Sequence, residues 1–408
     1  MFNEEFHLEQ PIRWGMVGGG RGSQIGYIHR NSALRDRLFT LCAGAFDVNE
    51  ERGREFGVNW GVSPERCYPD YKTMFAEEAK RPDGIQAVSI ATPNFTHYEI
   101  LKAALEAGLH AICEKPLCFT KEQAKELIAL AKKHNRIVGV TYGYTGAQMI
   151  HQARHMIQEG MLGEIRIINM QFAHGYHSSA VETNDPGTKW RVTPEKAGPS
   201  YVLGDVGTHA LFLAETMVPD LKIEKLMCSR QSFVKSRAPL EDNAFVLIQY
   251  DNGAVGNLWA SCVNAGSTHQ QKIRVVGEKA SIEWWDEHPN QIIFAEQGKP
   301  VQILDRGQGY LYQNDEAITC DRMGGGHAEG LFESWANLYR RFGTAMDRVN
   351  HGENADAVMR DLWFPNIRDG AEGVRFIENC VRSSDVGSAW VDYQYVSGSE
   401  EKTQIGHL

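Results

Sequence analysis

Three residues of this chain have the types and spacing for proton and hydride chemistry: Lys115, Asp205 and His209. Asp205 and His209 lie four apart in Gly204-Asp205-Val206-Gly207-Thr208-His209, which opens an apolar helical pattern from Ala210 to Met217. On a helical turn that spacing puts both on one face. Lys115 stands in Glu114-Lys115-Pro116, just after the strand-like run Leu109–Cys113. Ligands of open parallel sheets bind beyond such strand ends. Pro116 disfavours the α region for Lys115 and predicts an extended loop. Reversible alcohol oxidation needs a group that takes the hydroxyl proton while hydride leaves the same carbon. Histidine titrates near neutral pH and suits that task. A carboxylate would fix its orientation, and an ammonium would stabilise developing oxyanion character. The plainer reading makes Asp205 a helix cap, His209 a satisfied helix histidine and Lys115 a solvated lysine. A cofactor loop upstream decides against it.

That loop is Gly18-Gly19-Gly20-Arg21-Gly22-Ser23, which follows the apolar run Trp14–Val17 and precedes a helical pattern. Gly18 permits the tight turn, and Gly20 lets backbone N–H groups approach a pyrophosphate at the helix N-terminus. Gly22 continues the turn, Arg21 can reach a phosphate, and Ser23 holds the third small position of a dinucleotide fingerprint. The next strand ends at Ala45-Phe46-Asp47. A carboxylate there accepts hydrogen bonds from the adenosine ribose and repels a 2′-phosphate, so Asp47 favours NAD over NADP. The alternative is that Asp47 caps the helix starting near Asn49.

The elements that must position these residues follow two grammars. Through the first third, apolar runs at Trp14–Val17, Phe39–Ala45, Gln86–Ala91, Leu109–Cys113 and Arg136–Thr141 alternate with helical patterns. His97–Ala107 stops at Gly108, and Thr120 with Gln123 reads as a capping box opening a helix to His134. This is α/β grammar and predicts a Rossmann domain over 1–145. From about Gly163, strand-like runs at Ile165–Phe172, Ala244–Tyr250, Ala254–Ser261, Gln271–Val276 and Ala280–Trp285 follow one another through short turns. Asp251-Asn252-Gly253 and Val276-Gly277-Glu278-Lys279-Ala280 read as hairpins. An α+β domain with an antiparallel sheet over 146–408 is expected, with helices at Ala328–Phe342 and Gly370–Arg382. Glu182–Gly198 reads as a loop, and the tail after Val396 as frayed.

The 408 residues are 42% hydrophobic and 23% charged, enough for two domains with ordinary globular cores. A net charge of −10 argues against nucleic acid and anionic membranes as partners. No run approaches the roughly 20 apolar residues of a membrane span. Met1 to Arg13 lacks an apolar core of a signal peptide. The eight cysteines include no C-x-x-C pair, and reduced thiols without an export signal imply a cytoplasmic protein. His151-Gln152-Ala153-Arg154-His155 has zincin spacing without the general-base Glu or an evident third ligand, so it reads as a solvated helix face and no metal is expected. Trp284-Trp285 reads as sheet or subunit packing, and Asn94-Phe95-Thr96 as an incidental glycosylation match. His174, His177 and Trp190-Arg191 are candidates to face a substrate cleft.

Taken together, the chain resembles the glucose–fructose oxidoreductase / inositol dehydrogenase / rhizopine-catabolism (Gfo/Idh/MocA) family. The resemblance rests on the Gly18–Ser23 turn, Ala91-Thr92-Pro93-Asn94 with His97, Glu114-Lys115-Pro116, and Asp205-Val206-Gly207-Thr208-His209, in order. It implies a Rossmann domain followed by an open, mainly antiparallel sheet domain. It also implies a homodimer or homotetramer and a sugar, glycoside or polyol as substrate. Carried over, His209 is the proton acceptor, Asp205 assists it and Lys115 orients the same hydroxyl. Thr92, Pro93, Asn94, His97 and Glu114 would line the ribose and nicotinamide end of NAD, and Tyr144 joins the substrate contacts. Ser23 departs at the third small position, and Phe212 stands where many members carry Asp. Gly326-His327-Ala328-Glu329-Gly330 and the elaborated 182–198 stretch suggest a branch of long members. The function implied is an NAD-dependent dehydrogenase of a secondary hydroxyl on a cyclic sugar, glycoside or inositol. An NAD-recycling glycoside hydrolase on the same fold is the alternative. A non-catalytic NAD-dependent regulator is weakened by the intact Lys115, Asp205 and His209.

Overall fold

Five apolar runs near the N-terminus become five parallel strands. In the computed structural model, which describes residues 8–313 and 320–396, these are β1 (Ile12–Gly18), β2 (Phe39–Ala45), β3 (Ala87–Ala91), β4 (His110–Cys113) and β5 (Val138–Val140). Their order is β2-β1-β3-β4-β5, and every pairing is parallel. The order reverses at β1, so its carboxyl end is the switch point where open α/β sheets bind ligands. The crossovers include α1 (Gln24–Arg35), α2 (Glu50–Asn59), α3 (Tyr71–Glu78), α4 (His97–Glu106) and α5 (Lys121–His134). Gly108 follows α4 with φ +74°, and the Thr120/Gln123 capping box opens α5 as the spacing predicts.

The chain divides into two compact units, and the division is not a single cut at 145. Tyr142–Ser334 and Gly373–Tyr395 form one unit, while Trp335–Glu372 belongs with the Rossmann strands. Two helices therefore return to the first sheet: α8 (Leu331–Asn350, numbered after α6 and α7 below) from Trp335 onward, and α9 (Ala355–Asp361). Gly139 shows why. A Cβ there would lie 2.5 Å from the ring of Phe342, so only glycine lets α8 pack on β5. Pro365 supplies the carbonyl for the Val140 N–H at 2.9 Å.

The other unit carries a nine-stranded sheet. Its strands are β6 (Ile165–Ala173), β7 (Ile223–Gln231), β8 (Asn243–Tyr250), β9 (Val255–Ser261), β10 (Gln271–Gly277), β11 (Ala280–Trp285), β12 (Gln291–Glu296), β13 (Gln302–Asp305) and β14 (Val391–Asp392). The order is β13-β12-β11-β10-β6-β9-β8-β7-β14, antiparallel except for the parallel pair β6–β9. Both expected hairpins form, the first with Gly253 at φ +85°. Helices α6 (Gln148–Gln158) and α7 (Thr208–Met217) and the Phe376–Cys380 stretch of α10 (Ile367–Asp385) share a core with the sheet. Phe245, Leu247 and Val255 remain exposed.

Two expectations fail here. The Glu182–Gly198 stretch is not a plain loop but a string of short turns, including Pro186–Lys189 and Pro194–Ala197, each with Pro at its start. The His151–His155 segment is not a solvated face. His151, Gln152 and Arg154 are buried in α6, and His151 Nε2 lies 2.8 Å from the Thr145 carbonyl. Among the described residues no His, Cys, Asp and Glu cluster suits a metal ion. The eight cysteines are free thiols. No described helix is long and apolar enough to cross a membrane. The frayed tail expected after Val396 lies outside the described residues.

Candidate active site

In the Rossmann unit, Gly18, Gly19 and Gly22 all adopt positive φ, +73°, +68° and +79°. That is a backbone only glycine holds without strain. A Cβ on Gly20 would sit 2.5 Å from the Phe46 carbonyl. Ser23 is the N-cap of α1, its hydroxyl accepting the Gly26 N–H at 3.1 Å. The small residue that brings helix and loop together is Gly26, where a Cβ would meet the Gly19 oxygen at 2.1 Å. This corrects the fingerprint register, and a glycine three residues into the helix was the signal. Arg30 locks the loop from below by donating to the Gly19 carbonyl, its guanidinium over the rings of Phe56 and Trp60. The first turn of α1 has no acidic side chain. Bare backbone at an uncharged helix N-terminus fits a pyrophosphate.

Asp47 follows β2 and is not the cap of α2; Asn49 is. Its carboxylate accepts from both Arg52 Nη2 (2.7 Å) and Nε (3.2 Å), and from the Asn49 N–H. The Arg52 hydrogen bonds hold the Asp47 carboxyl below its ordinary value, so it stays ionised. Arg21 is exposed and paired with Glu55.

Glu114 is buried at the end of a hydrogen-bonded chain. Its Oε1 accepts from Thr141 Oγ1 at 2.5 Å and lies 3.1 Å from His29 Nε2. His29 Nδ1 lies 2.5 Å from the Tyr339 hydroxyl, which is 2.8 Å from Ser89 Oγ, which accepts from Trp14 Nε1 at 2.9 Å. Burial works to raise the Glu114 carboxyl, but His29, Lys115 and Thr141 outweigh it and keep it charged. A carboxylate only accepts, so His29 Nε2 donates to Glu114 at one end of the chain, and Trp14 Nε1 donates to Ser89 at the other. His29 and Tyr339 carry no local motif and lie 310 positions apart, so sequence reading missed them.

The resemblance assigns His97 to the lining of the cofactor site, but the ring is fully buried. Its Nδ1 lies 2.8 Å from the Pro116 carbonyl and its Nε2 2.9 Å from the Thr92 carbonyl. His97 therefore acts through the backbone of two loops. Burial pulls it below the ordinary histidine value, against the two carbonyls that favour the charged ring. Thr92, Pro93 and Asn94 are half-buried, and Thr96 Oγ1 donates to Thr92 Oγ1 at 2.6 Å. Lys115 is half-buried, and the Lys115–Pro116 peptide is cis.

In the other unit, Asp205 sits in a π turn, Leu203–Gly207, that leads straight into α7. The turn is wider than the α-helical one the spacing suggests, and such turns recur at functional sites. Glu241 is buried beneath it and accepts from Ser200 Oγ, the Tyr201 N–H and the Leu203 N–H, fixing the turn's start. Asp205 Oδ1 lies 3.9 Å from Arg191 Nε, and the Arg191 guanidinium lies over the Trp190 ring. His209 is nearly buried in an aromatic wall. Its ring centroid is 5.0 Å from Tyr144, 5.8 Å from Tyr142 and 6.1 Å from Phe172. Phe212 stacks on Tyr142 at 4.5 Å, so it supports the wall where an Asp would offer a polar contact.

His174 is buried beside Phe172, and burial pushes it down to about 4, so it is neutral near pH 7. His177 is hydrogen-bonded to the Tyr201 hydroxyl and lowered by burial. Arg237 ties this segment down through the His177 carbonyl and Glu182. A further histidine escaped the sequence reading: His269 pairs with Asp286 through Nδ1 and lies 3.1 Å from the Tyr144 hydroxyl through Nε2.

Residues 12–142 match the family model described as oxidoreductase family, NAD-binding Rossmann fold. Residues 154–392 match the one described as oxidoreductase family, C-terminal alpha/beta domain. The uncharacterized oxidoreductase YfiI of Bacillus subtilis (strain 168) is 54% identical over 396 residues, covering 97% of this chain and 100% of YfiI. The crystal structure of an inositol dehydrogenase homolog from Azotobacter vinelandii complexed with NAD+ is 63% identical with a TM-score of 0.94, over 96% of this chain and 100% of that one. Its crystal structure complexed with NADH and myo-inositol gives a TM-score of 0.90 at 63% identity, over 95% and 98%.

Proposed function

We propose, for a chain that belongs to the Gfo/Idh/MocA oxidoreductase family, NAD-dependent oxidation of a secondary ring hydroxyl on a cyclic polyol of the inositol type. The observation that carries the reading is His209 in its aromatic wall, one π turn after Asp205, in a chain with an NAD-binding Rossmann unit. The inositol class is suggested by the Azotobacter vinelandii homolog complexed with myo-inositol.

Gly18, Gly20, Gly22 and the Ser23-capped start of α1 would hold the pyrophosphate, and Asp47 the adenosine ribose. NAD, when bound, supplies the nicotinamide carbon that accepts the hydride. His209 takes the proton of the reacting hydroxyl on an imidazole nitrogen. Asp205, shared with Arg191, steadies the positive charge that forms on His209. Lys115 stabilises the oxygen as negative character develops, and His97 and Glu114 hold its loop. The neutral His174 and the Tyr144, His177, Trp190 and Arg191 side chains are assigned to the remaining hydroxyls.

The test is to incubate the protein and NAD with a panel of inositols, hexoses and glycosides and follow both reduced nicotinamide and products. Accumulating NADH with one equivalent of an inosose supports the reading. Cleavage of a glycoside without net NADH would replace it with the recycling hydrolase.

A further inference from the structure

Arg30 is a buried cation without a carboxylate. It follows the cap residue Ser23 by about two turns of α1, and helical side chains lean toward the helix N-terminus, so its guanidinium returns to the glycine turn. The residue is 3% exposed. Its Nη1 donates to the Gly19 carbonyl and lies 3.8 Å from the Met16 sulfur. Its guanidinium carbon lies 4.7 Å from the centre of the Phe56 ring and 4.4 Å from that of Trp60, and its Nε has no hydrogen-bond partner. Among the described residues no carboxylate pairs with it. Burial lowers the group to about 10, which leaves it charged near pH 7. A buried charge without a counter-ion is costly, and contact with two rings returns only part of that cost.

The hydrogen bond to Gly19 also decides the direction of one peptide. A trans peptide is planar, and its carbonyl and N–H point opposite ways. With the Gly19 carbonyl turned to Arg30, the Gly20 N–H is turned away from it. The Gly20 carbonyl is fixed as well, accepting the Ser23 N–H at 3.1 Å. Gly20 is buried, yet among the described residues its N–H donates to no group. A buried N–H of that kind calls for an acceptor from outside the protein. We propose that Arg30 is a positioning residue for the cofactor: it holds the Gly19 carbonyl so that the Gly20 N–H is aimed at the NAD pyrophosphate, and the pyrophosphate charge in turn balances the guanidinium one peptide behind. The determinant is a side chain that lies beneath the glycine loop and acts through its backbone. It selects for the diphosphate of a ligand, and it is independent of which hydroxyl the enzyme oxidises.

Equilibrium binding to the full-length protein tests this without turnover. The probes are NAD, ADP-ribose and adenosine, followed by ligand-observed NMR in wild type, Arg30→Met, Arg30→Gln and Arg30→Lys. Adenosine carries the ribose but no phosphate. In Arg30→Met the affinities for NAD and ADP-ribose should both fall about tenfold to a hundredfold, the worth of a hydrogen bond to a charged group. Adenosine affinity should stay within about twofold. Lysine keeps a charge and a donor and should recover most of the loss, whereas glutamine keeps a neutral donor alone and should recover less. Unchanged NAD affinity in Arg30→Met overturns the proposal. Equal losses for all three ligands also overturn it, because they assign Arg30 to the general fold of the loop. If Arg30→Met does not fold, the other two variants decide: glutamine binding NAD as tightly as lysine contradicts the role of the charge and overturns the proposal.

Discussion

The Nδ1 atom of His97 lies 2.8 Å from the carbonyl oxygen of Pro116, and its Nε2 lies 2.9 Å from that of Thr92. One buried ring thus joins the loop after β3 to the loop that carries Lys115. A neutral ring has one N–H, so it donates to one of the two carbonyls at a time while its buried body fills the space between the loops.

His97→Ala should leave both carbonyls without this partner and cost about 1–3 kcal/mol of stability. Its larger effect should fall on Lys115-dependent turnover and on NAD affinity. Thermal melting and NAD titration check this. Turnover equal to wild type would mean the two loops hold their positions without the ring.

The glycine turn gives a paired comparison. Gly26→Ala places a methyl 2.1 Å from the Gly19 oxygen and should cost about 1–3 kcal/mol or more, with loss of NAD binding. Ser23→Ala removes a cap and should cost only about 1 kcal/mol. Urea midpoints and NAD titration distinguish them. Equal, small effects would show that the loop tolerates a side chain at Gly26.

How much of this the sequence reveals depends on whether a feature is local. Thr120 and Gln123 lie three apart and announce α5 without help. The Gly18 turn and Asp205/His209 are equally compact. The strand β7 begins Ile223-Glu224-Lys225-Leu226, too charged for a clear alternating pattern, and only pairing with β8 and β14 defines it. Ala328–Phe342 reads as a helix, but nothing in that pattern says which sheet it covers; Gly139 beneath Phe342 does. His97 matches a cofactor-lining motif, yet burial turns it inward. His29 and Tyr339, and likewise His269 and Tyr144, are brought together by chain returns that no spacing records.

Cofactor choice is predicted from Asp47. Its carboxylate is charged and bracketed by Arg52. Asp47→Ala removes the ribose acceptor and frees a guanidinium beside the 2′ position. The ratio of NADP to NAD affinity should rise tenfold or more, about 1.4 kcal/mol. An unchanged ratio by fluorescence titration would assign Asp47 to the Arg52 pair alone.

Acid stability should track two buried histidines. Burial, helped by Arg136, pulls His110 down to about 3, and burial pulls His174 down to about 4. An unfolded histidine binds its proton near pH 6.5. Below that value the unfolded chain holds protons the folded one refuses, so stability is full above pH 6.5 and is lost as pH falls toward 3. Each histidine contributes a slope of up to about 1.4 kcal/mol per pH unit in that window. The urea midpoint of His110→Gln should depend less steeply on pH than that of wild type. Parallel pH profiles would remove His110 from the account.

The central claim is that His209 takes the proton of a polyol hydroxyl while NAD is reduced. The most direct measurement compares NADH formation from myo-inositol by wild type and His209→Asn, with NAD binding measured on both. The account predicts NADH accumulation by wild type, a loss of about 10²- to 10⁴-fold in His209→Asn, and unchanged NAD affinity. Turnover of His209→Asn at the wild-type rate would contradict it.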